Sequence, residues 1–530
     1  MDCWPSRLAD YLAREGRRPL ADYLSRQRWF GAKGRQIANV HLLDYAVLFG
    51  TSRPAVFAIV VTEFSEGPSQ RYFLPLLMTP QGEAGQAPDS DILCTLSNST
   101  EQKVLVIDAT TDADACRKLT DGIRDGIQWR GCRGIFRCMP TIAAGSILSE
   151  PLQHAKRLSG EQSNTSIVFD RRVILKVIRK FDSGINPDRE ILEFLTTRTD
   201  YHSVPTLIGT IEYHESSGTQ GSSEDSGTVG LLQTYIPNDG DGWSAVLAHV
   251  ETLLRDSRIH NMGQRNDDGL REFVQQTSHQ AIAAMRRLGT ITAELHTALS
   301  SDSTDPAFRP ERISPHDVFD WRAVMHSQIR TVFAQLRALR GSRQTELHLT
   351  EDDLASLEAG CERRLDALQR LVESPVTKIR VHGDYHLGQV LKTGHEFIVL
   401  DFEGEPARRL EERRAKQCAL KDVAGMLRSF HYAACVAQRQ IQAPAHGEER
   451  IVAIWEQAVI DEFWIGYTTA ATPGRASFMP GTQADADQVL RVFELDKTIY
   501  EIGYELNNRP DWLDIPVQGL RRLLYDRRNA

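Results

Sequence analysis

The pattern of hydrophobic and polar positions predicts a β-rich beginning for this chain. An amphipathic segment at residues 8–24 is followed by VHLLDYAVL, AVFAIVVTEF and RYFLPLLM, which are rich in β-branched and aromatic residues and predict strands. Residues 80–90 have the Pro, Gly and Ser content of a loop. We therefore expect a small α+β unit over residues 1–100.

A second β-rich unit is expected over residues 101–236. VLVID, SIVF, VILKVIRKF and LLQTYIP have strand composition, and a helix is expected at 187–197. Residues 214–230 (HESSGTQGSSEDSGTVG) are poor in apolar residues, so we expect a flexible insertion between two strands there. This unit would be the smaller, sheet-based lobe of a larger protein.

From residue 237 onward the pattern changes to helices. In QAIAAMRRLGTITAELHTALS and TEDDLASLEAGCERRLDALQRLVES the apolar residues recur every three or four positions, which is typical of helices that bury one face. Further helices are expected at 421–438, 448–468 and 484–509. The sequence thus predicts an α+β fold with a mostly helical domain at 237–530.

Composition excludes several classes of function. The 530 residues carry a formal net charge of −9, and no basic block stands out, so we expect no nucleic-acid partner. The chain has no run of eighteen apolar residues and no signal-peptide pattern at its start, so we expect a cytoplasmic protein without a membrane segment. Its eight cysteines lack the spacing of zinc or redox pairs and are expected to be reduced.

The segment with the clearest chemistry is VHGDYHLGQVLKTGHEFIVLDFEGEP. Its H-G-D, followed five residues after the aspartate by Gln389, has the H-x-D-x4-N spacing of a kinase catalytic loop, with Gln in place of Asn. Two short apolar runs around a turn at 392–395 predict a hairpin that returns Asp401 to the side of Gln389. Phosphoryl transfer needs a base for the attacking hydroxyl and oxygen ligands for Mg²⁺. We expect Asp384 to be the base and Gln389, Asp401 and Glu403 to be the metal ligands.

A kinase site also needs cationic groups for the nucleotide phosphates. Lys176 lies within the apolar strand VILKVIRKF, where a lysine is costly without a partner, and Glu190 in the following helix is the expected partner. The segment SGEQSNTSIVF stands where a phosphate loop is expected, although Gly160 is its only glycine. The residues expected to contact ATP are Lys176, Glu190, Ser163, Asn164, Thr165, Ser166, Gln233 and Tyr235.

These stretches, together with RWFGAKGR, GINPDRE, ERRAK, KDVAGMLRSFHYAA and YELNNRPDWLDIP, resemble the maltokinases, a group within the aminoglycoside-phosphotransferase-like kinases. The resemblance implies a bilobal protein-kinase-like fold with an extra N-terminal cap domain, and ATP and Mg²⁺ as cofactors. It implies phosphorylation of the anomeric hydroxyl of maltose. It also implies that the sugar lies against His386, Lys497, Tyr500 and Tyr504.

Several alternatives remain open. Lys497, Tyr500 and Tyr504 share one helical face, a pattern that is also typical of helix packing with a partly extended lysine. We interpret Asp422 as a structural residue. The acceptor is alternatively glucosamine or another small sugar, or the chain is a catalytically silent kinase-like partner of a glucan-synthesising assembly. The sequence leaves open whether a trehalose-converting enzyme associates with it.

Overall fold

The structure is a computed structural model that describes residues 4–49, 53–81, 88–97, 102–158, 163–216, 225–339, 349–406, 408–440 and 447–525. The chain divides into two compact units, one of Met1–Thr196 with Pro205–Pro237 and one of Thr197–Val204 with Asn238–Ala530. The first unit is β-rich and the second is mostly helical, which confirms the predicted fold class. The division into three domains at residues 100 and 236 stays a prediction.

In its described residues, the first unit contains two antiparallel sheets and five α-helices. Its elements are α1 (Trp4–Arg14), α2 (Arg17–Arg26), β1 (Ile37–Phe49), β2 (Ala55–Phe64), β3 (Gln70–Pro80), β4 (Ile92–Ser97), β5 (Lys103–Asp108), α3 (Ala113–Arg124), β6 (Gln128–Arg130), β7 (Gly134–Pro140), α4 (Ile142–Ile147), β8 (Ala155–Arg157), β9 (Asn164–Phe169), β10 (Val173–Ile178), β11 (Lys180–Phe181), α5 (Pro187–Arg198), β12 (Leu207–Glu215) and β13 (Ser226–Thr234).

The first sheet has the strand order β1-β2-β3-β5-β4, with β11 paired to β3. Strand β2 is buried almost throughout because its side chains alternate between two cores. Val56 and Val60 face the core shared with α1 and α2, whereas Phe57 and Ile59 face the core shared with the second sheet. Since β5 belongs to this sheet, the sheet continues past residue 100.

The second sheet has the strand order β6-β7-β12-β13-β10-β9-β8. The predicted strands around Lys176 are confirmed as β9 and β10, which pair in register from Val173↔Phe169 to Ile178↔Asn164. The predicted insertion at 214–230 was too long, because β12 extends to Glu215 and β13 begins at Ser226. Backbone pairing with neighbouring strands overrides the polar composition there, and residues 217–224 lie outside the described residues.

The second unit is a helical assembly that also contains, among the described residues, the β16–β17 hairpin and a short antiparallel pair formed by β14 and β15. Its elements are α6 (Gly242–Ile259), α7 (Asp267–Leu299), β14 (Glu311–Arg312), α8 (Pro315–Leu339), α9 (Glu351–Arg364), α10 (Arg370–Glu373), β15 (Thr377–Lys378), β16 (Val390–Thr393), β17 (Glu396–Val399), α11 (Leu410–Arg414), α12 (Leu420–Gln440), α13 (Glu448–Ala470), α14 (Gln483–Asn508) and α15 (Asp514–Tyr525).

The predicted helices of this unit agree with α7, α9, α12, α13 and α14 to within a few residues at most ends, although α7 begins earlier than expected. The Asn266 side chain caps α7 by accepting the backbone N–H of Gly269. The helix therefore begins at Asp267, and the last two residues of the Asn-rich segment at 261–268 belong to it. None of the helices in the described ranges combines the length and the apolar character that a bilayer span requires. The cysteines in those ranges are free thiols.

Candidate active site

The hairpin of β16 and β17 brings two of the predicted metal ligands together. Its strands pair from Val390↔Val399 to Thr393↔Glu396, and the Leu400 N–H donates to the Gln389 carbonyl at 2.9 Å. This pairing places the Gln389 amide next to Asp401, with Gln389 Nε2 3.1 Å from Asp401 Oδ2. The hairpin predicted from the sequence is therefore confirmed. Its geometry joins residues twelve positions apart.

Asp401 has an unusual backbone conformation. Its φ of 65° lies in the left-handed region, which residues other than glycine adopt at a cost and mostly at functional positions. The preceding carbonyl, that of Leu400, accepts a hydrogen bond from His382 Nε2 at 2.8 Å. His382 thereby ties the end of the hairpin to the H-G-D segment.

The oxygen atoms of this region fit a hard divalent cation. Gln389, Asp401 and Glu403 are half-buried, and they offer the amide and carboxylate oxygens that Mg²⁺ prefers. The contact between Gln389 and Asp401 shows that at least two of these groups point to a common place.

The H-G-D segment is held by a buried carboxylate on α12. Asp422 accepts the backbone N–H of His382 at 2.7 Å and that of Gly383 at 2.9 Å, and it lies 3.1 Å from His296 Nε2. The other ring nitrogen of His296 lies 2.8 Å from the Tyr467 hydroxyl. Burial raises the pKa of Asp422, but its hydrogen bonds and the nearby histidines outweigh burial and hold that pKa below the ordinary value.

Helix α12 approaches the catalytic segment closely at two further points. A Cβ atom at Gly425 would lie 2.6 Å from the Tyr385 carbonyl oxygen, so glycine is required for this approach. One turn later, Ser429 Oγ accepts the backbone N–H of Leu387 at 3.1 Å. The backbone on both sides of Asp384 is thus fixed by one helix.

The predicted base, Asp384, lies beside a lysine from α14. Lys497 Nζ is 3.4 Å from Asp384 Oδ1 and 3.5 Å from Glu405 Oε1. Although burial opposes the charge on Lys497, the carboxylates of Asp384, Glu405 and Glu501 raise its pKa above the ordinary value. Burial alone would raise the pKa of Glu405, but Lys497 and Arg408 help to lower it. Both side chains therefore remain charged at neutral pH.

Two tyrosines extend this cluster along α14. Lys497 Nζ lies 4.8 Å from the ring centroid of Tyr500, and the rings of Tyr500 and Tyr504 are 6.5 Å apart and nearly parallel. Tyr504 is 45% exposed. Of the three α14 residues that the resemblance assigns to the sugar, Lys497 contacts Asp384 and Tyr504 lies at the surface of the second unit, with Tyr500 between them.

His386, the remaining predicted sugar-binding residue, lies on the other side of Asp384. Its Nε2 atom is 3.9 Å from Asp384 Oδ2. Burial lowers the pKa of His386; Asp384 opposes this effect, and Lys497 reinforces it. The structure therefore gathers Asp384, His386 and Lys497 into one cluster of the second unit.

In the first unit, Lys176 forms an ion pair with Asp188, 2.8 Å from Lys176 Nζ to Asp188 Oδ2. Asp188 stands at the start of α5, two residues before the predicted partner Glu190, and both carboxylates are buried. Asp188 was not predicted as a partner of Lys176, although its position in NPDRE, at the start of the predicted helix, made it a candidate. The Lys176–Glu190 arrangement stays a prediction.

The segment expected to hold phosphate is partly a strand. Asn164 and Thr165 belong to β9 and are buried, which corrects the expectation of a loop at these two residues, whereas Ser166 lies in the strand that was predicted for SIVF. Pairing with β10 explains the difference. Thr165 Oγ1 also accepts a hydrogen bond from Arg179 Nε at 2.9 Å. Ser163 precedes the strand, and Gly160 lies outside the described residues.

The segment expected to bind adenine is the last strand of the second sheet in chain order, β13, together with the residues that follow it. Gln233 is buried in β13, between its neighbours β10 and β12. The N–H of Tyr235 donates to the Arg172 carbonyl at 2.9 Å. Because both residues are held by the sheet, their assignment to ATP stays a prediction.

Two contacts of the second unit were not anticipated from the sequence. Asp422 was interpreted as structural, and its hydrogen bonds to the His382 and Gly383 N–H groups agree with that interpretation, although the partners were not predicted. Glu405, which contacts Lys497, was not selected at all. Its place two residues after Glu403 in DFEGEP was a signal, but nothing local indicated that a lysine 92 residues away would reach it.

Comparison with known proteins adds independent findings. The maltokinase N-terminal cap domain family matches residues 23–112. A glucosamine kinase of Streptacidiphilus jiangxiensis is 26% identical over 296 residues, which are 55% of this chain and 57% of that protein. A glucosamine kinase of Mycolicibacterium smegmatis (strain ATCC 700084 / mc(2)155) is 24% identical over 379 residues, which are 71% of this chain and 81% of that protein.

Solved structures show the same fold over nearly the whole chain. A glucosamine kinase in complex with glucosamine, ADP and inorganic phosphate superposes with a TM-score of 0.61 at 18% identity, covering 95% of this chain and 99% of that one. A second glucosamine kinase structure, crystal form B, gives a TM-score of 0.62 at 19% identity, covering 93% and 95%. The chain therefore combines a segment similar to the maltokinase N-terminal cap domain family with a fold similar to that of the glucosamine kinases.

Proposed function

We propose that the chain is an ATP-dependent sugar kinase that phosphorylates the anomeric hydroxyl of maltose to give maltose 1-phosphate. The observation that carries this proposal is the contact of Lys497 with Asp384 and Glu405 beside the Tyr500 ring. A carboxylate base, a cationic donor and an aromatic surface are the groups that a neutral sugar requires.

On this proposal each residue has a distinct task. Asp384 accepts the proton of the sugar hydroxyl while the γ-phosphoryl group moves from ATP to that oxygen. Lys497 donates to a sugar oxygen, and Lys176 binds phosphate oxygens of ATP. Gln389, Asp401 and Glu403 would hold Mg²⁺, which neutralises phosphate charge when bound.

The acceptor cleft requires movement before a sugar enters. Among the described residues, a cavity of ≈ 20 Å³ is lined by Asp384, Glu405, Arg408, Lys497 and Tyr500. A glucose-sized ring needs far more space than this cavity provides. The size of this cavity therefore does not distinguish maltose from a smaller sugar.

Glucosamine is the second candidate acceptor because both curated relatives are named glucosamine kinases. The charge of the cluster argues against it. Glu405 already interacts with Lys497, Lys421 and Arg408, which together lower its pKa. A protonated amino sugar would compete with these cations for the same carboxylates, whereas neutral maltose would not.

A sugar panel with MgATP tests the proposal. Maltose, glucosamine, glucose and maltotriose would each be incubated with the protein, ADP release would be measured, and ³¹P NMR would identify the phosphorylated position. We expect the highest kcat/KM with maltose and a phosphate on its anomeric oxygen. A higher kcat/KM with glucosamine would show that glucosamine, and not maltose, is the acceptor. ATP binding without transfer to any sugar would favour the alternative that the chain is a catalytically silent kinase-like partner.

A further inference from the structure

The imidazole of His386 is held in a fixed orientation by the turn that follows it. The Gly388 N–H donates to His386 Nδ1 at 3.0 Å. A backbone amide can only donate, so Nδ1 must act as the acceptor and carries no proton. The neutral ring then carries its single proton on Nε2, and Nε2 is a hydrogen-bond donor.

The sequence favours this arrangement through Gly388. A Cβ atom at residue 388 would lie 2.9 Å from His386 Cε1 and 3.1 Å from Nδ1. Both distances are shorter than ordinary contacts, so a larger residue would push the ring away from the turn. The short helical turn Leu387–Gln389 thus presents an amide to the Nδ1 side of the ring.

The Nε2 side of the ring faces the predicted base. His386 Nε2 is 3.9 Å from Asp384 Oδ2, which is too far for a direct hydrogen bond. The other carboxylate oxygen, Oδ1, faces Lys497 at 3.4 Å. Asp384 therefore has one oxygen directed at a cation and one directed at a neutral donor across a gap.

That gap has the size of one bridging oxygen atom. His386 Nε2 and Asp384 Oδ2 are 3.9 Å apart. An oxygen atom placed about 2.8 Å from both would form an N···O···O angle of about 90° at that oxygen, within about 20° of the tetrahedral angle of a hydroxyl. Such a hydroxyl donates its proton to Asp384 Oδ2 and accepts the proton of His386 Nε2. One lone pair then remains free.

We propose that His386 is a catalytic residue that orients the nucleophilic hydroxyl of the sugar by donating Nε2–H to it. This inference rests on the proposed function and adds a role to its base, Asp384. The hydroxyl has three hydrogen-bonding directions. The hydroxyl donates its proton to Asp384 and accepts a hydrogen bond from His386 Nε2–H on one lone pair. Its second lone pair is directed at the γ-phosphorus.

The step balances without a change in the protonation of His386. The O–H bond of the sugar breaks and its proton passes to Asp384. The new P–O bond forms as the bond between the γ-phosphorus and the bridging oxygen of ATP breaks, and ADP leaves. His386 keeps its Nε2 proton throughout, so it acts by position and supplies no acid or base.

Two variants separate this role from that of a turn-stabilising residue. His386→Asn keeps a short acceptor for the Gly388 N–H but lacks a donor at the Nε2 position. His386→Gln loses the short acceptor but carries an amide N–H far enough along the side chain to replace Nε2–H. We expect kcat for the phosphorylated sugar to fall about tenfold to a hundredfold in His386→Asn, with KM for ATP unchanged, and to be largely rescued in His386→Gln.

The opposite order, with His386→Asn active and His386→Gln impaired, would show that the ring only stabilises the turn and would overturn the proposal. A direct measurement does not depend on turnover. ¹⁵N spectra of histidine-labelled protein, assigned with the His386→Asn variant, should show His386 protonated at Nε2 and not at Nδ1 near pH 7.5. A proton on Nδ1 would refute the orientation.

The two proposals fail in different ways. If the wild-type protein phosphorylates no sugar of the panel, the proposed function fails and the role of His386 fails with it. If it phosphorylates a sugar and both variants keep wild-type kcat, only the role of His386 fails.

Discussion

Replacing Lys497 by methionine tests the charge argument on which the choice of acceptor depends. Methionine retains an unbranched side chain of similar length and removes the ammonium group. In the wild-type protein that group lies 3.4 Å from Asp384 Oδ1 and 3.5 Å from Glu405 Oε1. An amino sugar that binds the same carboxylates has to place its own ammonium close to Lys497 Nζ.

The magnitude follows from this geometry. Two like charges 4 Å apart repel by about 4 kcal/mol at an effective dielectric constant of 20, which is the upper limit of what the variant can relieve. Maltose loses one hydrogen bond in the same variant, worth about 1 kcal/mol. Since 1.36 kcal/mol corresponds to tenfold, the ratio of kcat/KM for glucosamine to that for maltose should rise by about tenfold or more.

The assay compares kcat/KM for the two sugars in the wild-type protein, in Lys497→Met and in Lys497→Arg. Arginine keeps the positive charge, so it should leave the ratio close to that of the wild type even if both rates fall. If an acceptor is too poor to turn over, its inhibition constant against the other sugar replaces kcat/KM. A ratio that stays constant in Lys497→Met, or that changes equally in Lys497→Arg, would refute the reasoning.

Three further predictions follow from the second unit. Asp384→Asn should lower kcat by about 10²–10⁴-fold, because the hydroxyl loses its base, while calorimetric binding of ATP stays near the wild-type affinity. Asp422→Asn should lower the free energy of unfolding by about 2–4 kcal/mol in urea titrations and kcat by about a hundredfold, because it turns an acceptor of two backbone N–H groups into a partial donor. The control variant Ser429→Ala removes one hydrogen bond and should lower the free energy of unfolding by about 1 kcal/mol. Equal losses of stability in the two variants would contradict the role assigned to Asp422. Burial opposes the charge of His431, but Glu456, 2.7 Å away, raises its pKa to about 9. The stabilisation from a raised pKa is complete below pH 6.5 and is lost as pH rises through 9, so stability should fall by up to about 3 kcal/mol over that window in the wild type and less in His431→Gln.

The sequence predicted those parts of the site that depend on local geometry. The hairpin joining Gln389 to Asp401 follows from two short apolar runs and a turn, and its register is fixed by the pairing of four residues in each strand. The strand bearing Lys176 was likewise identified from its apolar composition. In each case the interacting residues lie within about one hairpin of each other, where periodicity and turn chemistry determine distance.

Other contacts lie beyond the reach of local patterns. Asp422 and His382 are 40 residues apart, and Lys497 and Asp384 are 113 residues apart. Their proximity depends on how helices pack, which the apolar spacing of each helix restricts to a face but not to a partner. The error at Asn164 and Thr165 has a different cause, because a cluster of small polar residues is typical of turns and the neighbouring strand overrode that preference.

Helix packing also explains why Lys497 reaches the base at all. Arg428 on α12 donates to Glu501 on α14, with Nη2 2.7 Å from Oε2, and one turn further along both helices Tyr432 donates to Glu505 at 2.5 Å. Two contacts with the same spacing fix how far α14 can slide along α12. Glu501 lies one turn after Lys497, so the register that satisfies Arg428 also determines the position of the Lys497 ammonium.

The same helix, α12, holds the backbone on both sides of Asp384 through Asp422 and Ser429. Asp384 and Lys497 are therefore positioned by one helix, although they come from distant parts of the chain. The side chains of Arg428 and Glu501 are 5% and 12% exposed, and breaking a buried, hydrogen-bonded ion pair costs more than losing an exposed one because the remaining charge is left uncompensated. A shift of α14 of even about 1 Å would move Lys497 relative to Asp384, and errors of that size are sufficient to lower kcat about a hundredfold. The charged residues between α12 and α14 thus determine where Lys497 lies relative to Asp384.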